Sequence, residues 1–500
     1  MSVNFKPALR IALVSAFMTP MIAGAVTPAP SDTLYGGGAT LPAIGYVGNS
    51  WLTNDGTHVN NPQLRLTNPA GLGSLFGAFT AATPPASTHL TNYPNVSYCQ
   101  TGSGGGRKIF YGLTGFAANQ ACGDYTTSNK NGFSAPNAEP NFAASDAPLS
   151  ASEYNQFITN KGATHAEPVQ IPEIAGAIGV IYANSDTAVS SKINLTESQI
   201  CQIFKGTINN WNQISPSFQN KAIKLVYRSD DSGTSFNFTN HLSKVCPSAF
   251  PTAVSGISTQ STFVNIYPGA TAPTGAIGGS GNGGVVQAVQ TTDGSIGYAE
   301  IQDAVERGNL AGSKVNYATV SIRPDVATVK GGAPGITYKK LDPTSLSNTF
   351  KIPAGGVLTD MVITGNDSNG RPVLASIASA TSPSVTPPQA GCLFVAAPDA
   401  VATAATKTYT KTNSFGTTTY DDYLLYPIVA PTYLLAYNTG NGANTAGVQG
   451  LMTAGLTAAI KNTVSTIGKN SATGNVATGF AYLTGLPSGI AGTVKGCIKN

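Results

Sequence analysis

Between Ile171 and Tyr182 the chain reads IPEIAGAIGVIY, a run in which Glu173 is the only charged residue. A strand with one wet face alternates apolar and polar residues, so a run apolar on both faces belongs at the centre of a sheet covered on both sides. The flanking sequence supplies the covering layers. Thr196-Glu197-Ser198-Gln199 is a capping box that opens a short helix with Ile200, Ile203 and Phe204 on one face, ended by Gly206. Ile223 to Tyr227 reads as a second strand, followed by Ser232-Gly233-Thr234 and a helix with Phe238, Leu242 and Val245 at spacings of four and three. Strands that alternate with helices predict an α/β fold with mainly parallel strands. Buried strand character returns from Tyr423 to Tyr437, and 444–467 has helical patterning. Polar or Gly-rich stretches of weak periodicity, at about 54–95, 104–140 and 310–422, read as long loops or insertions.

The amino terminus has the pattern of an export signal. Lys6 and Arg10 precede an apolar stretch from Ile11 to Ile22, and the small-residue site Ala23-Gly24-Ala25 follows. Residues 1–25 therefore read as a signal peptide cleaved near Ala25, which places the mature chain in the periplasm or outside the cell. The stretch is short for a membrane span and is broken by Pro20. Loss of Lys6 and Arg10 takes the formal net charge from +4 to +2, and with no basic run there is no sign of a nucleic-acid partner. Charged residues are only 10% of the chain, so hydroxyls and amides do much of the solvating, as suits a protein outside the cytoplasm. The six cysteines are even in number and lack a C-x-x-C, which favours disulfides over metal. They admit fifteen pairings. The local ones, Cys99 with Cys122 and Cys201 with Cys246, are expected, leaving Cys392 with Cys497.

Three segments share one physical design: Gly36 to Pro42 (GGGATLP), Thr101 to Gly106 (TGSGGG) and Arg228 to Thr234 (RSDDSGT). Each sets a hydroxyl beside glycine where a helix can begin. Helix starts present unpaired N–H groups with a partial positive charge, and glycine lets an oxyanion approach the backbone closely. Singly such runs are ordinary turns; converging, they make an anion site. Arg228, directly after a strand, can give a tetrahedral anion a charge-assisted contact. Its structural alternative is an ion pair with Asp230 or Asp231, and both roles can coexist if Asp230 holds the guanidinium in place.

These segments, together with Ala144 to Ser150 (ASDAPLS), Tyr227 to Val245, Leu195 to Ile214, Ile277 to Ile301 and Tyr426 to Leu435, resemble the periplasmic phosphate-binding protein of the bacterial phosphate ABC transporter. They are also similar to its secreted relatives, the DING proteins, although Thr33-Leu34-Tyr35-Gly36 stands where the DING tetrapeptide would be. The matched blocks keep their order from residue 32 to the carboxyl terminus. The resemblance implies a type 2 periplasmic-binding fold, an α/β arrangement of two lobes joined by crossing strands with a ligand cleft between them. One lobe would be 32–180 plus 425–500 and the other 181–424, with the three polar stretches as insertions. It implies a monomer that binds inorganic phosphate, with an ABC transporter permease as partner, no cofactor and no metal. The implied ligand contacts are Thr40, Leu41, Ser103, Asp146, Arg228, Ser232, Gly233 and Thr234, with Asp230 in support.

Asp146 is the unusual member, because a carboxylate repels a dianion in a dry cleft. It also supplies selectivity: phosphate near neutral pH keeps a proton to donate, whereas sulfate is fully ionised, and a site built for a ligand hydrogen bond rejects an analogue lacking it by about 10⁴–10⁵. The structural alternative is that Asp146 caps a helix near Pro148. An enzyme, such as a secreted phosphatase, would share the anion-binding groups. Yet His58, His89, His165 and His241 are scattered, there is no H-E-x-x-H, no G-x-S-x-G and no P-loop, and only His241 lies near Ser232, the one candidate nucleophile. A third class is a secreted surface or matrix protein that keeps the fold and uses its long polar stretches for other contacts.

Overall fold

The computed structural model describes residues 33–47, 64–66, 74–80, 95–113, 139–189, 192–249, 256–308, 314–321, 340–346, 349–380, 391–404, 406–413, 416–423, 425–464, 467 and 479–500. The expected export signal, residues 1–25, lies outside these residues, as do most of 54–95 and residues 114–138 of the stretch at 104–140.

The apolar run forms the strand Pro168–Ala183, buried along its whole length. This strand changes partner midway. From Pro168 to Ala177 it pairs antiparallel with Val429–Tyr437, and from Ile178 to Ala183 it pairs antiparallel with Ser295–Glu300. It therefore belongs to two halves of one nine-stranded sheet. In the first half Val429–Tyr437 continues to Ala143–Ser145, which bridges through Ala144 to Gly38 at the end of the strand Thr33–Gly37. In the second half Ser295–Glu300 continues in parallel to Lys224–Arg228 and then Ile277–Gly279. Two hydrophobic cores follow the division: Tyr46, Phe76, Tyr98, Phe142 and Leu434 gather in one, and Phe204, Trp211, Val226, Phe238 and Tyr298 in the other.

The sheet is mixed, which corrects the expectation of mainly parallel strands. Parallel pairing holds among the strands separated by helices, but the chain passes between the halves along Pro168–Ala183 and returns along Val429–Tyr437, and a strand with its return partner must run antiparallel. The capping box is present, with Thr196 Oγ1 accepting from Gln199 N (3.1 Å), Gln199 Oε1 accepting from Thr196 N (3.0 Å), and Gly206 left-handed at φ 79°.

The expected loop at 104–140 begins instead as a helix, Ser103–Phe110. Three glycines weaken a helix, but a Cβ at Gly106 would come within 2.5 Å of the Gly38 Cα, so packing requires the small residue. The stretch 310–422 is also structured where described. Phe350, Ile352, Ala396 and Val401 join one core and Cys392 and Phe394 the other. Its hairpin, Met361–Asn366 with Pro372–Ser376, sets Val362 and Ile377 against Leu149, Tyr154 and Phe157. The tip reaches the opposite half: Thr259 N donates to Gly370 O (2.9 Å), and Arg371 Nη1 donates to Asn240 O and Ser243 Oγ (both 2.6 Å). Many of these strands have two or three residues, too few to show a period.

Disulfides join Cys201 to Cys246 and Cys392 to Cys497, as expected. Cys99 is also disulfide-bonded, and Cys122, its expected partner, lies outside the described residues. The Cys392–Cys497 bridge closes a separation of 105 residues. Replacing both cysteines with serine is expected to lower unfolding stability by about 2–4 kcal/mol in urea titration, the usual cost of opening a long loop. Among the described residues no helix is long and apolar enough to cross a membrane.

Candidate functional site

The three Gly-hydroxyl corners meet where the two halves of the sheet face each other. Ser103 starts the helix Ser103–Phe110, Asp146 directly follows the strand Ala143–Ser145, and Arg228 ends the strand Lys224–Arg228. Thr234 lies in the first turn of Gly233–Ala249, and Ser232 Oγ accepts the Ser235 N–H (3.1 Å), capping that helix. Ser103, Asp146, Arg228, Ser232 and Thr234 are all nearly or fully buried.

Hydrogen bonds tie these groups across the cleft. Asp146 Oδ2 accepts from Ser103 Oγ (3.3 Å) and from Thr234 Oγ1 (3.4 Å), while the Ser103 hydroxyl accepts from Asp146 N (3.2 Å). Arg228 Nη1 donates to Thr234 Oγ1 (3.1 Å) and Asn282 Oδ1 (3.4 Å). The rest of the guanidinium makes a fork with Asp230, Nε to Oδ1 at 2.7 Å and Nη2 to Oδ2 at 2.5 Å. Of the roles weighed for Arg228, the ion pair is present with Asp230, and it leaves Nη1 turned to the Thr234 hydroxyl and the Asn282 amide oxygen. Burial alone would raise Asp230, but Arg228 holds its carboxyl below the usual carboxylate range.

Asp146 does not cap a helix. The next helix, Ala151–His165, is capped by Ser150, which forms a capping box with Glu153. Asp146 Oδ1 is instead a buried acceptor without a partner, and burial raises its carboxyl from 3.8 to about 7, against the opposing pull of Arg228, Ser103, Arg107 and Thr234. The opposite wall comes close here. A Cβ on Gly233 would meet Ser103 Oγ at 2.5 Å and the Asp146 Cβ at 2.6 Å, so glycine is required for approach. Gly233→Ala is expected to leave the unfolding midpoint nearly unchanged but to prop the walls apart, which a solution-scattering radius larger than that of the wild type would report.

Thr40 is placed with the cluster through its hydroxyl, which accepts from Asn282 N (3.2 Å). Leu41 is fully buried, with its side chain in the core, so only its backbone is available to the cleft. Asn282 and Arg107 are partners that sequence reasoning missed, and Asp231, weighed as a partner of Arg228, pairs with Arg107 instead. Asn282 stands in Ile277 to Gly284 (IGGSGNGG), in the first turn of the helix Gly281–Thr291, a fourth corner of the same hydroxyl-and-glycine design. Arg107 lies one helical turn after Ser103, on the same face. The imagined pairing of Ser232 with His241 does not form, because His241 Nε2 lies 3.0 Å from Glu197 Oε1 and the Ser232 hydroxyl is engaged as a cap.

Both guanidiniums are paired with carboxylates: Arg228 faces Asp230, and Arg107 faces Glu153 and Asp231. The groups that could answer an anion here are hydroxyls, helix-start N–H groups and the Nη1 side of Arg228, which Thr234 and Asn282 now occupy, with Asp146 Oδ1 as the unpartnered acceptor. Such a set suits a small oxyanion that carries a proton.

Comparison with known proteins bears on this geometry. Alkaline phosphatase L of Pseudomonas aeruginosa PAO1 is 31% identical over 267 residues, 52% of this chain and 65% of that protein. The phosphate-binding protein PstS of Xylella fastidiosa 9a5c is 33% identical over 199 residues, 38% of this chain and 49% of that protein. The matched parts thus span from about half to just under two thirds of these relatives. Among solved structures, a phosphate-binding protein of Stenotrophomonas maltophilia is 22% identical with a TM-score of 0.44, covering 84% of this chain and 83% of that one. A periplasmic phosphate-binding protein, PfluDING, solved with phosphate, is 20% identical with a TM-score of 0.49 and covers 93% of both chains. The PBP superfamily domain model matches residues 68–377, which include Ser103 and Asp146 on one wall and Arg228 to Thr234 and Asn282 on the other. The match runs through most of the cleft and over more than half of the sequence, so the chain belongs to the PBP superfamily and has the α/β fold expected of it.

Proposed function

We propose that the chain is an exported solute-binding protein that closes around one inorganic phosphate ion. One observation carries the reading: Asp146 Oδ1, a buried acceptor with no partner, sits among the donors Ser103, Thr234 and Arg228. Monohydrogen or dihydrogen phosphate satisfies all of them, because its P–OH donates to Asp146 while its other oxygens accept. Thr40 and Ser103 hydroxyls, the backbone N–H groups of Leu41 and Gly233, the Ser232 and Thr234 end of the helix, and Arg228 hold the acceptor oxygens; Asp230 holds Arg228. Residues 32–180 with 425–500 form one lobe and 181–424 the other, with Pro168–Ala183 and Val429–Tyr437 as the crossing strands. The hairpin at 361–376, within 181–424 in sequence, packs on the first lobe and reaches back with its tip to Asn240, Ser243 and Thr259 of the second.

The protein acts in the periplasm or outside the cell, after removal of residues 1–25, in phosphate uptake with an ABC transporter permease or in scavenging. Equilibrium dialysis tests the binding directly. Protein unfolded, stripped of anions and refolded is expected to take up close to one equivalent of radiolabelled orthophosphate, and retention of none at millimolar phosphate by folded protein contradicts the reading.

A second reading is hydrolysis of phosphate monoesters, favoured by the resemblance to alkaline phosphatase L. It needs a nucleophile or a metal at the cleft. Among the described residues no three His, Cys, Asp or Glu side chains gather to hold a metal, and the Ser232 hydroxyl caps a helix by accepting from Ser235 N. A chromogenic phosphate ester, assayed with and without added zinc or magnesium, separates the two readings: the binding reading predicts no turnover under either condition.

A further inference from the structure

Arg107 has no place in the set of phosphate contacts above, yet it is 4% exposed beside them. Its Nε donates to Glu153 Oε1 (2.6 Å), its Nη1 to Ser145 Oγ (2.7 Å) and its Nη2 to Asp231 Oδ1 (3.4 Å). Ser145 precedes Asp146, and its hydroxyl accepts from Ala147 N (3.1 Å) and donates to Ala147 O (2.6 Å), so the guanidinium grips the turn on both sides of Asp146. It also reaches Asp231 on the opposite wall, where Gly104 N donates to Asp231 O (2.9 Å).

We infer that Arg107 is a positioning residue for specificity: a second buried guanidinium that fixes the turn carrying Asp146 and keeps its carboxylate ionised, so that the cleft continues to demand a protonated oxyanion as the pH falls. The inference rests on the phosphate reading of the same cleft. An ionised Asp146 accepts from P–OH and repels sulfate; a protonated Asp146 is a donor and admits sulfate. The groups facing Asp146 are Arg228, Ser103, Arg107 and Thr234, all favouring the charged form against burial. Those facing Arg107 are Glu153, Asp231 and Tyr111, and Lys108 shares Asp231 at 3.5 Å. Removal of the guanidinium withdraws one positive charge from Asp146 and leaves Glu153 and Asp231 less compensated. Each change favours protonation of Asp146.

The test is the pH profile of sulfate competition against bound radiolabelled phosphate between pH 5 and 9. Sulfate is expected to compete with wild type only below a midpoint, and Arg107→Met is expected to move that midpoint upward by about one pH unit or more, as loss of a nearby opposite charge does. Arg107→Lys restores most of the shift. Glu153→Gln, which preserves a capping box with Ser150, moves the midpoint downward because Arg107 is then less neutralised. A merely structural role moves affinity and stability but not the midpoint. Equal midpoints for wild type, Arg107→Met and Glu153→Gln overturn the inference while leaving phosphate binding intact. If Arg107→Met does not fold, Glu153→Gln and Asp231→Asn decide by the same downward shift. A wild type that binds no phosphate at any pH overturns the reading beneath it as well.

Discussion

Asp146→Asn is expected to reduce the discrimination between phosphate and sulfate by about 10³-fold or more, while phosphate affinity itself changes far less. The amide can turn its NH₂ toward an unprotonated oxygen, so sulfate no longer faces an unanswered lone pair, and the penalty of about 10⁴–10⁵ attached to a missing ligand proton largely disappears. Competition titrations of both ions check this, and unchanged selectivity removes Asp146 from the site. The same substitution has a signature in stability. Burial raises the Asp146 carboxyl from 3.8 to about 7, so between those values the folded protein holds a proton that the unfolded chain has released. The resulting stabilisation is complete below about pH 4 and is lost as the pH rises through 7. At about 1.4 kcal/mol per pH unit the loss reaches roughly 4 kcal/mol in the ligand-free protein. Asp146→Asn removes this dependence, so denaturant titrations at pH 5 and pH 9 should differ less for the variant than for wild type.

Arg228→Ala is expected to weaken phosphate binding by about 100-fold or more, since it removes a charge-assisted donor and strands the carboxylate of Asp230 in a largely buried position. Stability falls with it, because truncating one partner of a buried pair leaves the other uncompensated. The double variant Arg228→Ala/Asp230→Ala separates the two effects: urea titration should show stability recovering, while phosphate titration shows binding still impaired. Recovery of binding in the double variant would mean that Arg228 acts only as a structural partner of Asp230.

The parts of the fold that were legible share a strong local signal. Ile171 to Tyr182 announced a strand because both of its faces are apolar, and Glu197–Lys205 announced a helix because Thr196, Gln199 and Gly206 fix its two ends chemically. The corners at Thr40, Ser103 and Ser232 were legible as helix starts rich in glycine and hydroxyls. What escaped has physical reasons. Pairing direction depends on how the chain crosses between the halves, which no local pattern encodes. Between Thr349 and Ala396 the strands Thr349–Lys351, Val357–Thr359 and Phe394–Ala396 have three residues each, too few for a period, and the segment is held by distant partners such as Leu149, Tyr154 and Thr259. The start of helix Ser103–Phe110 was legible, but its continuation was hidden by three glycines, of which Gly106 serves a close contact with Gly38 that appears only in three dimensions. Arg107 and Asn282 were hidden because their roles run through partners far away in sequence, Glu153 and Asp231 for one and Thr40 and Arg228 for the other. The fourth corner could have been found from its likeness to the other three.

Calorimetric titration of anion-free wild-type protein at pH 8, first with phosphate and then with sulfate, is the most direct measurement. At that pH Asp146 is largely ionised, so phosphate should bind with a stoichiometry of one and sulfate at the same concentrations should give no binding heat. Equal binding of the two ions by the folded protein would contradict the claim that this carboxylate tests its guest for a proton.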